Sequence, residues 1–106
     1  MHDLKWSSAE KTLSRSVFEL ALAAELAETL AEFKARANNS SKPEEMWDIR
    51  AYLETRQREI DAKYDYRYSQ LIFVFGHLLR QSRIQEEQLA GLSEDKLALI
   101  RRIAHM

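Results

Sequence analysis

The chain has 106 residues, with 16 basic and 17 acidic side chains and a net charge of −1, which suits one small domain. This balanced charge argues against a nucleic-acid binder, because such proteins usually carry a basic excess or stripe. The absence of cysteine excludes disulfide bonds, thiolate metal sites and thiol catalysis. The longest apolar run, residues 71–75, is too short to span a membrane. Because the N-terminus also lacks a secretory apolar core, we expect a cytoplasmic protein.

The composition predicts an all-α fold. Ala and Leu together supply 27 residues, whereas the β-branched Val, Ile and Thr supply 11. Two Gly and one Pro are the only strong backbone breakers. These choices favour helices and leave little material for a sheet.

Helix one begins at a capping box, in which Ser7 accepts at the helix start and Glu10 reaches back to it. We expect this helix to run to about Arg36, because residues 38–41 form the polar, low-propensity stretch typical of a turn. Two apolar stripes follow helix one, and a helix that is apolar on two sides needs two neighbours. One stripe contains Leu13, Val17, Leu20, Ala24, Ala27 and Ala31, and the other contains Phe18, Leu22, Leu26, Leu30, Phe33 and Ala37.

Helix two opens with Pro43 in its first turn, where a missing N–H is harmless. No Gly or Pro interrupts residues 44–75, and Gly76 is interpreted as a lone, tolerated glycine. The pattern therefore predicts a helix that continues to about Gln81. Such a helix of roughly 38 residues would be about 57 Å long, far more than a compact globule of this size, with a radius of gyration of about 13 Å, can cover.

Helix two carries a heptad-like seam of apolar and long side chains, and this seam predicts what covers the helix. Apolar and long side chains recur at a spacing near 3.5. The simplest arrangement is an isologous homodimer in which both helices of each chain form an elongated bundle, with Leu53, Ile60, Tyr64 and Arg67 at the dimer interface. The whole seam contains Met46, Ile49, Leu53, Ile60, Tyr64, Arg67, Leu71, Val74 and Leu78.

The C-terminal part predicts a small two-helix head. Ser82 and Ser93 are expected to cap short helices near 83–90 and 94–105, with Gly91 between them. We therefore predict a dimerisation stem over residues 1–80. A head over residues 81–106 then packs on the end of helix two as part of the same structural unit.

The chain offers little for catalysis or cofactor binding. Its histidines, His2, His77 and His105, have no metal-ligand spacing on one helix. No serine lies in a strained, glycine-flanked turn, and there is no glycine-rich loop to hold a phosphate. We expect a non-enzymatic protein without metal or cofactor.

A dense charge run over residues 54–67 has two interpretations. It can be a solvated helix face supported by i,i+4 pairs such as Glu54–Arg58 and Glu59–Lys63. Alternatively, Arg56, Arg58 and Lys63 can seat a dicarboxylate between helices, as in small all-α enzymes of the chorismate mutase type.

Aromatic residues on helix two point to contacts outside the chain. Tyr64, Tyr66 and Tyr68 occur at alternate positions and cannot share one face of a helix, since each step of two residues turns about 200°. At least one of them must be exposed or touch a partner. For Trp47, a role at a protein interface competes with burial, because tryptophan is favoured at interface hot spots.

One long string resembles a known family. Residues 60–69 read IDAKYDYRYS and run into LIFVF at 71–75. Together with Trp47 at the matching tryptophan position of helix two, this string is similar to the signature of the cyanobacterial fluorescence recovery proteins. The length, the long second helix and the short C-terminal helices also fit that family.

The resemblance implies an all-helical homodimer with small heads and a role in protein–protein regulation. Members of the family bind the photoactivated orange carotenoid protein, accelerate its return to the resting form and so detach it from the phycobilisome. They carry no chromophore. By this resemblance, we expect Trp47, Arg50 and Arg56 to contact the client protein, with Phe73 in the head as a second contact.

The sequence departs from the family at one place. The family's tryptophan is followed by a His-Asp pair and, further along the same face, by an arginine. Here these places hold Arg50, Ala51 and Gln57. The loss of the acid makes the local charge positive, which a charge-matched partner would sense. A helical adaptor for a different client, in a host without the carotenoid protein, is therefore the alternative.

Overall fold

The computed structural model describes residues 4–106, and within this range every regular element is helical. The predicted all-α fold is confirmed. Helices α1 and α2 form an antiparallel hairpin, and the remaining elements form a head on the N-terminal half of α1. In chain order the elements are α1 (Ser8–Asn39), α2 (Glu45–Lys63), α3 (Leu71–Arg80), a 3₁₀ turn (Glu86–Leu89) and α4 (Glu94–Ala104).

Helix α1 begins at the predicted capping box. The Ser7 hydroxyl accepts a hydrogen bond from the Glu10 backbone N–H at 3.1 Å, and the Glu10 carboxylate accepts from the Ser7 N–H at 3.0 Å. The helix ends at Asn39, slightly later than the expected Arg36. With 32 residues it is about 48 Å long, which makes it the longest described element.

The continuous helix predicted from residue 44 to about Gln81 is wrong. Helix α2 stops at Lys63, residues 64–70 are not helical, and α3 starts at Leu71. Tyr64 ends α2 with φ −102° and ψ 76°, outside the helical region. No glycine or proline causes this break, so its origin lies in contacts with the rest of the chain.

The three alternating tyrosines explain the break. In the non-helical backbone that follows α2, the three side chains form one aromatic row along α1. Phe18 meets the rings of Tyr64 and Tyr66 edge-on, with centroids 5.4 and 4.8 Å away. Tyr68 packs against Tyr66 at 5.6 Å and against Trp6 at 5.7 Å. A helix would separate these rings, and the edge-to-face contacts that stabilise the row would be lost.

The molecule is elongated, although not because of helix two. Its extents are 54 × 23 × 20 Å, and its radius of gyration is 16.9 Å, compared with about 13 Å for a compact chain of 100 residues. Because α2 is only 19 residues long, the length of the molecule comes from α1. The hairpin therefore protrudes from the head, and Arg36 stacks on the Tyr52 ring at 3.9 Å near its free end.

The hydrophobic core lies in the head. Residues 81–106 pack on α3, the segment that the sequence had assigned to the end of helix two, and α3 and α4 make the most extensive contact between elements. The N-terminal half of α1 closes this core, because its apolar residues Val17, Phe18 and Ala21 belong to the same buried cluster as those of α3 and α4. The buried cluster consists of Val17, Phe18, Ala21, Leu71, Ile72, Val74, Phe75, Leu78, Ile84, Leu89, Leu92, Leu97, Ile100 and Ile103.

Ser82 does not begin a helix, and the predicted helix over 83–90 is wrong. Ser82 instead follows the end of α3 with φ 58°. The Ser82 N–H donates to the Leu79 carbonyl at 3.1 Å, and the Arg83 N–H donates to the Leu78 carbonyl at 2.8 Å. This is the Schellman arrangement, in which the left-handed residue is usually glycine. Only a 3₁₀ turn follows before α4, and its one turn is shorter than the predicted helix.

The expected cap of the last helix is confirmed. The Ser93 hydroxyl accepts from the Lys96 N–H at 3.3 Å, and α4 runs from Glu94 to Ala104. The carboxylates at the start of α4 and the two arginines in its last turn also match the polarity of the helix dipole.

Gly76 is more than a tolerated glycine. It is buried where α3 crosses α4, and a Cβ atom at this position would lie 2.4 Å from Ile103 Cγ2 and 3.3 Å from the Ile100 carbonyl oxygen. The missing side chain therefore permits the close approach of the two head helices.

Substitution Gly76→Ala is expected to lower the free energy of unfolding by about 1–3 kcal/mol, because the added methyl group overpacks the α3–α4 contact. Gly91→Ala is the matched control. Its Cβ would meet only the end of the Leu13 side chain, at 2.7 Å, which can rotate away. Urea unfolding followed by circular dichroism measures both, and a Gly76→Ala loss no larger than that of Gly91→Ala would contradict the packing argument.

Candidate protein interface

The first turns of α2 expose a large aromatic side chain. Trp47 is 63% exposed, and its neighbour Met46 is 53% exposed. The Arg50 side chain is also exposed and pairs with Glu54 at 2.9 Å, one helical turn away. Tryptophan and arginine are enriched at protein interfaces and lose much of their solvation there. This end of α2 therefore has the chemistry of a protein-binding surface.

A groove of about 450 Å³ lies beside this surface, between the last turns of α1 and the first half of α2. Its walls are mostly apolar, and polar groups lie at its edge. Two adjacent helices with apolar facing sides form such a groove when nothing in the same chain fills it. The groove is lined by Phe33, Ala37, Ser40, Met46, Ile49, Arg50, Leu53, Glu54 and Gln57.

The apolar surface continues from the groove along α1. Leu26 and Leu30 are 49% and 52% exposed, and they belong to the same helical stripe as Phe33 and Ala37, at spacings of four, three and four residues. Groove and stripe together form one elongated apolar surface, which we call the hairpin face. Contiguous exposed apolar patches of this kind mark interaction sites on soluble proteins.

The structure separates the four residues expected at the dimer interface. Leu53 lines the groove, whereas Ile60 is already buried within the chain. Tyr64 and Arg67 lie beyond the end of α2, so they do not continue its seam. The Tyr64 hydroxyl binds Glu25, and Arg67 is exposed and paired with Asp65.

The residues expected to contact a client are separated as well. Trp47 and Arg50 lie together at the hairpin tip, whereas Phe73 is on α3 in the head, 38% exposed. Arg56 is largely enclosed: its guanidinium donates to Glu25 at 2.9 Å, to Thr29 at 3.3 Å and to Glu59 at 3.1 Å. The charge of Arg56 is therefore balanced mainly by carboxylates of the same chain.

A fully buried carboxylate, which the sequence analysis missed, lies between the hairpin and the head. Glu25 on α1 accepts from Lys63 Nζ at 2.6 Å, from the Tyr64 hydroxyl at 2.8 Å and from Arg56 Nη2 at 2.9 Å. Arg83 Nε adds an ion pair at 3.6 Å. One carboxylate thus joins α1, α2, the non-helical connection and the segment after α3. We call these five residues the Glu25 cluster.

The cluster keeps its central carboxylate ionised. Burial alone would raise the pKa of Glu25, but the hydrogen bonds from Lys63, Tyr64 and Arg56 outweigh it and lower the pKa to about 2. Burial of the Tyr64 hydroxyl, together with its hydrogen bond to Glu25, raises the pKa of Tyr64. Tyr64 therefore stays a neutral donor throughout the physiological range.

A second buried ion pair fastens the head to the start of α1. Lys96 Nζ lies 3.1 Å from Glu10 Oε1, and both residues are buried. Glu10 also accepts the Ser93 backbone N–H at 2.9 Å, at the positive end of the α4 dipole. Burial would raise the pKa of Glu10, but these hydrogen bonds, including that from Ser7, lower it. The head is thus held by charged contacts on both sides of its apolar core.

A weak signal for the Glu25 cluster exists in the sequence. Glu25 lies seven residues after Phe18 and three after Leu22, in register with an apolar stripe of α1. A lone acid at such a position is either exposed at the edge of the stripe or buried with cations. The sequence does not distinguish these cases, because the cations come from residues 31 to 58 positions away.

The i,i+4 pairs expected in the charge run do not form. Glu54 pairs with Arg50 instead of Arg58, and Lys63 pairs with Glu25 instead of Glu59. Since Arg56 and Lys63 are engaged by Glu25 and Arg58 is exposed, the three cations expected for a mutase-type site do not line one common pocket.

Over the described residues 4–106, no metal site is indicated. His77 and His105 are exposed, and among residues 4–106 no group of three His, Asp or Glu side chains is placed to hold a metal ion. His2 lies outside the described residues. In the same part of the chain, no helix combines the length and apolarity needed to cross a membrane.

Comparisons with known proteins agree with this all-helical fold. The model of the family described as photoprotection regulator fluorescence recovery protein matches residues 6–104. A curated relative, the fluorescence recovery protein of Synechocystis sp. (strain ATCC 27184 / PCC 6803 / Kazusa), is 36% identical over 101 residues, which are 95% of this chain and 93% of the relative.

Solved structures show the same fold. The fluorescence recovery protein of Fremyella diplosiphon superposes with a TM-score of 0.91 at 33% identity, and that of Synechocystis sp. PCC 6803 with 0.91 at 35% identity. Each alignment covers 96% of this chain and 100% of the other. The chain belongs to the fluorescence recovery protein family, which consists of photoprotection regulators and not of enzymes.

The Glu25 cluster makes folding stability depend on acid pH. Because the pKa of folded Glu25 lies below its ordinary value of 4.5, its contribution is fully present above that pH and is lost as the pH falls towards 2. A shift of this size corresponds to on the order of 3 kcal/mol. Glu25→Gln should therefore lower the free energy of unfolding near pH 7, and the difference from the wild type should shrink between pH 4.5 and 2.

The control for this measurement is Glu28→Gln, which removes an exposed carboxylate that also pairs with Arg83. Exposed pairs contribute little, so this variant should follow the wild-type curve. Urea unfolding at successive pH values makes the comparison. A Glu25→Gln difference that stays constant with pH would show that the carboxylate's charge is not what stabilises the fold.

Proposed function

We propose that this protein binds the photoactivated form of an orange carotenoid protein and accelerates its return to the resting form. The supporting observation is the exposed Trp47, at the matching tryptophan position in a chain that belongs to a family of photoprotection regulators. The mechanism is a population shift, in which the regulator binds one client conformation more tightly than the other. In this proposal the regulator acts in the cytoplasm.

In this proposal the client rests on two surfaces. Trp47 and Arg50 form the first, at the hairpin tip, and Phe73 in the head forms the second. Arg56, whose guanidinium is bound by Glu25 and Glu59, holds α2 in place. Between Trp47 and Lys63, α2 rises about 24 Å. The two surfaces that contact the client are therefore separated by about the length of α2.

We also propose that a second copy of the chain covers the hairpin face. The exposed apolar stripe with Leu26 and Leu30, which runs into a groove that contains Leu53, supports this proposal. A second copy supplies the same apolar surface, as an isologous dimer requires. Ile60, Tyr64 and Arg67 then support the interface from behind or at its edge.

A different client is the second candidate. Arg50 is exposed, and Ala51 and Gln57 replace the acid and the arginine of the family pattern. This surface is more positive than a mixed-charge one, which changes recognition and association rate. A pull-down from the source organism distinguishes the two, because recovery of the carotenoid protein alone would contradict the second candidate.

Trp47→Ala is expected to weaken client binding by roughly thirtyfold, the effect of losing an interface hot spot of about 2 kcal/mol. The assay mixes the protein with photoactivated carotenoid protein and follows the red-to-orange decay in the dark. Leu20→Ala is the matched control, because Leu20 is also 63% exposed but lies on the other stripe of α1. An unchanged decay with saturating wild-type protein would refute the proposed activity.

Leu30→Glu is expected to convert the dimer into monomers, because it places a charge in the centre of the hairpin face, where burial without a partner is unfavourable. Light scattering after size exclusion measures the mass. Leu20→Glu introduces the same charge on the other stripe of α1 and should remain dimeric. If both variants keep the wild-type mass, the second copy does not cover this face.

A further inference from the structure

We propose that Glu25 is a positioning residue that sets the angle between α2 and the head, and so fixes where Trp47 lies relative to Phe73. For its effect on a client, this inference rests on the proposed function. The juxtaposition that carries it is one buried carboxylate bound by cations and a hydroxyl from both sides of the non-helical connection.

The connection itself provides little rigidity. In residues 64–70 the backbone hydrogen bonds are local: Arg67 donates to Asp65 at 3.0 Å, and Gln70 donates to Arg67 at 2.7 Å. The segment contains no proline to restrict its dihedral angles. The angle between α2 and α3 must therefore be set by side-chain contacts with other elements.

Glu25 supplies the central contact. Its Oε1 atom accepts from Lys63, the last residue of α2, and from Tyr64, the first residue of the connection. Lys63 Nζ also donates to Gln81 Oε1 at 2.9 Å. Together with the Arg83 ion pair, these bonds join the end of α2 to the end of α3. Glu25 lies on α1, which packs against α2 and shares the hydrophobic core with α3.

Removal of the Glu25 charge would turn the attraction within the Glu25 cluster into repulsion among its cations. Arg56, Lys63 and Arg83 converge on Glu25, and without it three positive charges would face one another across a partly dry space. Like charges at such distances repel strongly when water screens them poorly. The acids that face the cluster, Glu59 at Arg56 and Glu28 at Arg83, are both exposed and compensate weakly.

The head would stay on α1 after such a loss. Its apolar core and the Glu10–Lys96 pair do not involve Glu25. The freedom gained therefore belongs to α2 and the connection. Because residues 40–44 join α2 to α1 at the tip, the change would be one of helix direction: a tilt of about 10° displaces Trp47 and Lys63, about 24 Å apart along the helix, relative to each other by about 4 Å. That displacement is enough to misalign two surfaces that bind one client.

A distance measurement tests the positioning role directly. The chain has no native cysteine, so Ala51→Cys on α2 and Ala98→Cys on α4, both exposed, accept a pair of spin labels. The labelled protein is mixed with excess unlabelled protein, so that distances within one chain dominate. Pulsed electron paramagnetic resonance should show one narrow distance in the otherwise wild-type chain and a shifted or at least twofold broader distribution with Glu25→Gln.

Two further variants make the result decisive. Glu28→Gln should keep the narrow distribution, because it removes only an exposed partner of Arg83. Tyr64→Phe removes one hydroxyl from the cluster with little change in packing, and it should broaden the distribution even if Glu25→Gln does not fold. Narrow and unshifted distances in Tyr64→Phe, and in Glu25→Gln if it folds, would overturn the proposal.

The client assay separates this inference from the proposed function. If the wild type accelerates the dark decay, Glu25→Gln should reduce that acceleration at least threefold at subsaturating protein, and Trp47→Ala should reduce it without any change in the label distance. If the wild type has no effect on the decay, the proposed function fails, and the label distances alone decide on Glu25. A broadened distance with undiminished acceleration would overturn the positioning role.

Discussion

The architecture depends on one buried interaction, the binding of the Glu25 carboxylate by Lys63, Tyr64, Arg56 and Arg83. A buried charge is unfavourable unless several partners solvate it, and here they come from α2, the connection and the segment after α3. The same contacts that compensate the carboxylate therefore hold these elements against α1. The position of α2 and the break in helix two follow from this convergence and from the aromatic row on Phe18, whereas the head is held on α1 by its own apolar core and the Glu10–Lys96 pair.

Some charged side chains are bound within the chain, and this determines which side chains remain exposed for a partner. Arg56 and Lys63 face inwards, whereas Trp47 and Arg50 stay in water at the hairpin tip. The chain belongs to a family of photoprotection regulators, and its fold follows that of its relatives over nearly the whole length. Substitutions at the tip therefore leave the internal contacts behind it unchanged.

Local signals predicted much of the fold. The capping box at Ser7, the cap at Ser93 and the helix-rich composition each act within a few residues, and the structure confirms them. The break after Lys63 was missed because no local breaker marks it. The spacing of Tyr64, Tyr66 and Tyr68 was the available signal, since three side chains at alternate positions cannot share one face of a helix.

The candidate interface was less predictable than the fold, and for a physical reason. Trp47 was identified from its residue type and its place in a family pattern, and the structure leaves it exposed. The assignment of Arg56 to the same face ignored Glu25, because a pair 31 residues apart leaves no local trace. Gly76 is similar: its role depends on Ile103 in another helix, which helix propensity does not reveal.

The most direct test of this account is a carbon-detected NMR titration of the Glu25 side-chain carboxyl in the full-length protein. If the cations bind Glu25 as described, its resonance stays in the ionised position from pH 7 down to below pH 4 and titrates only near pH 2. A midpoint at the ordinary value of about 4.5 would mean that the carboxylate is not bound by its cations in solution. The position of α2 and of the connection derived from it would then be contradicted.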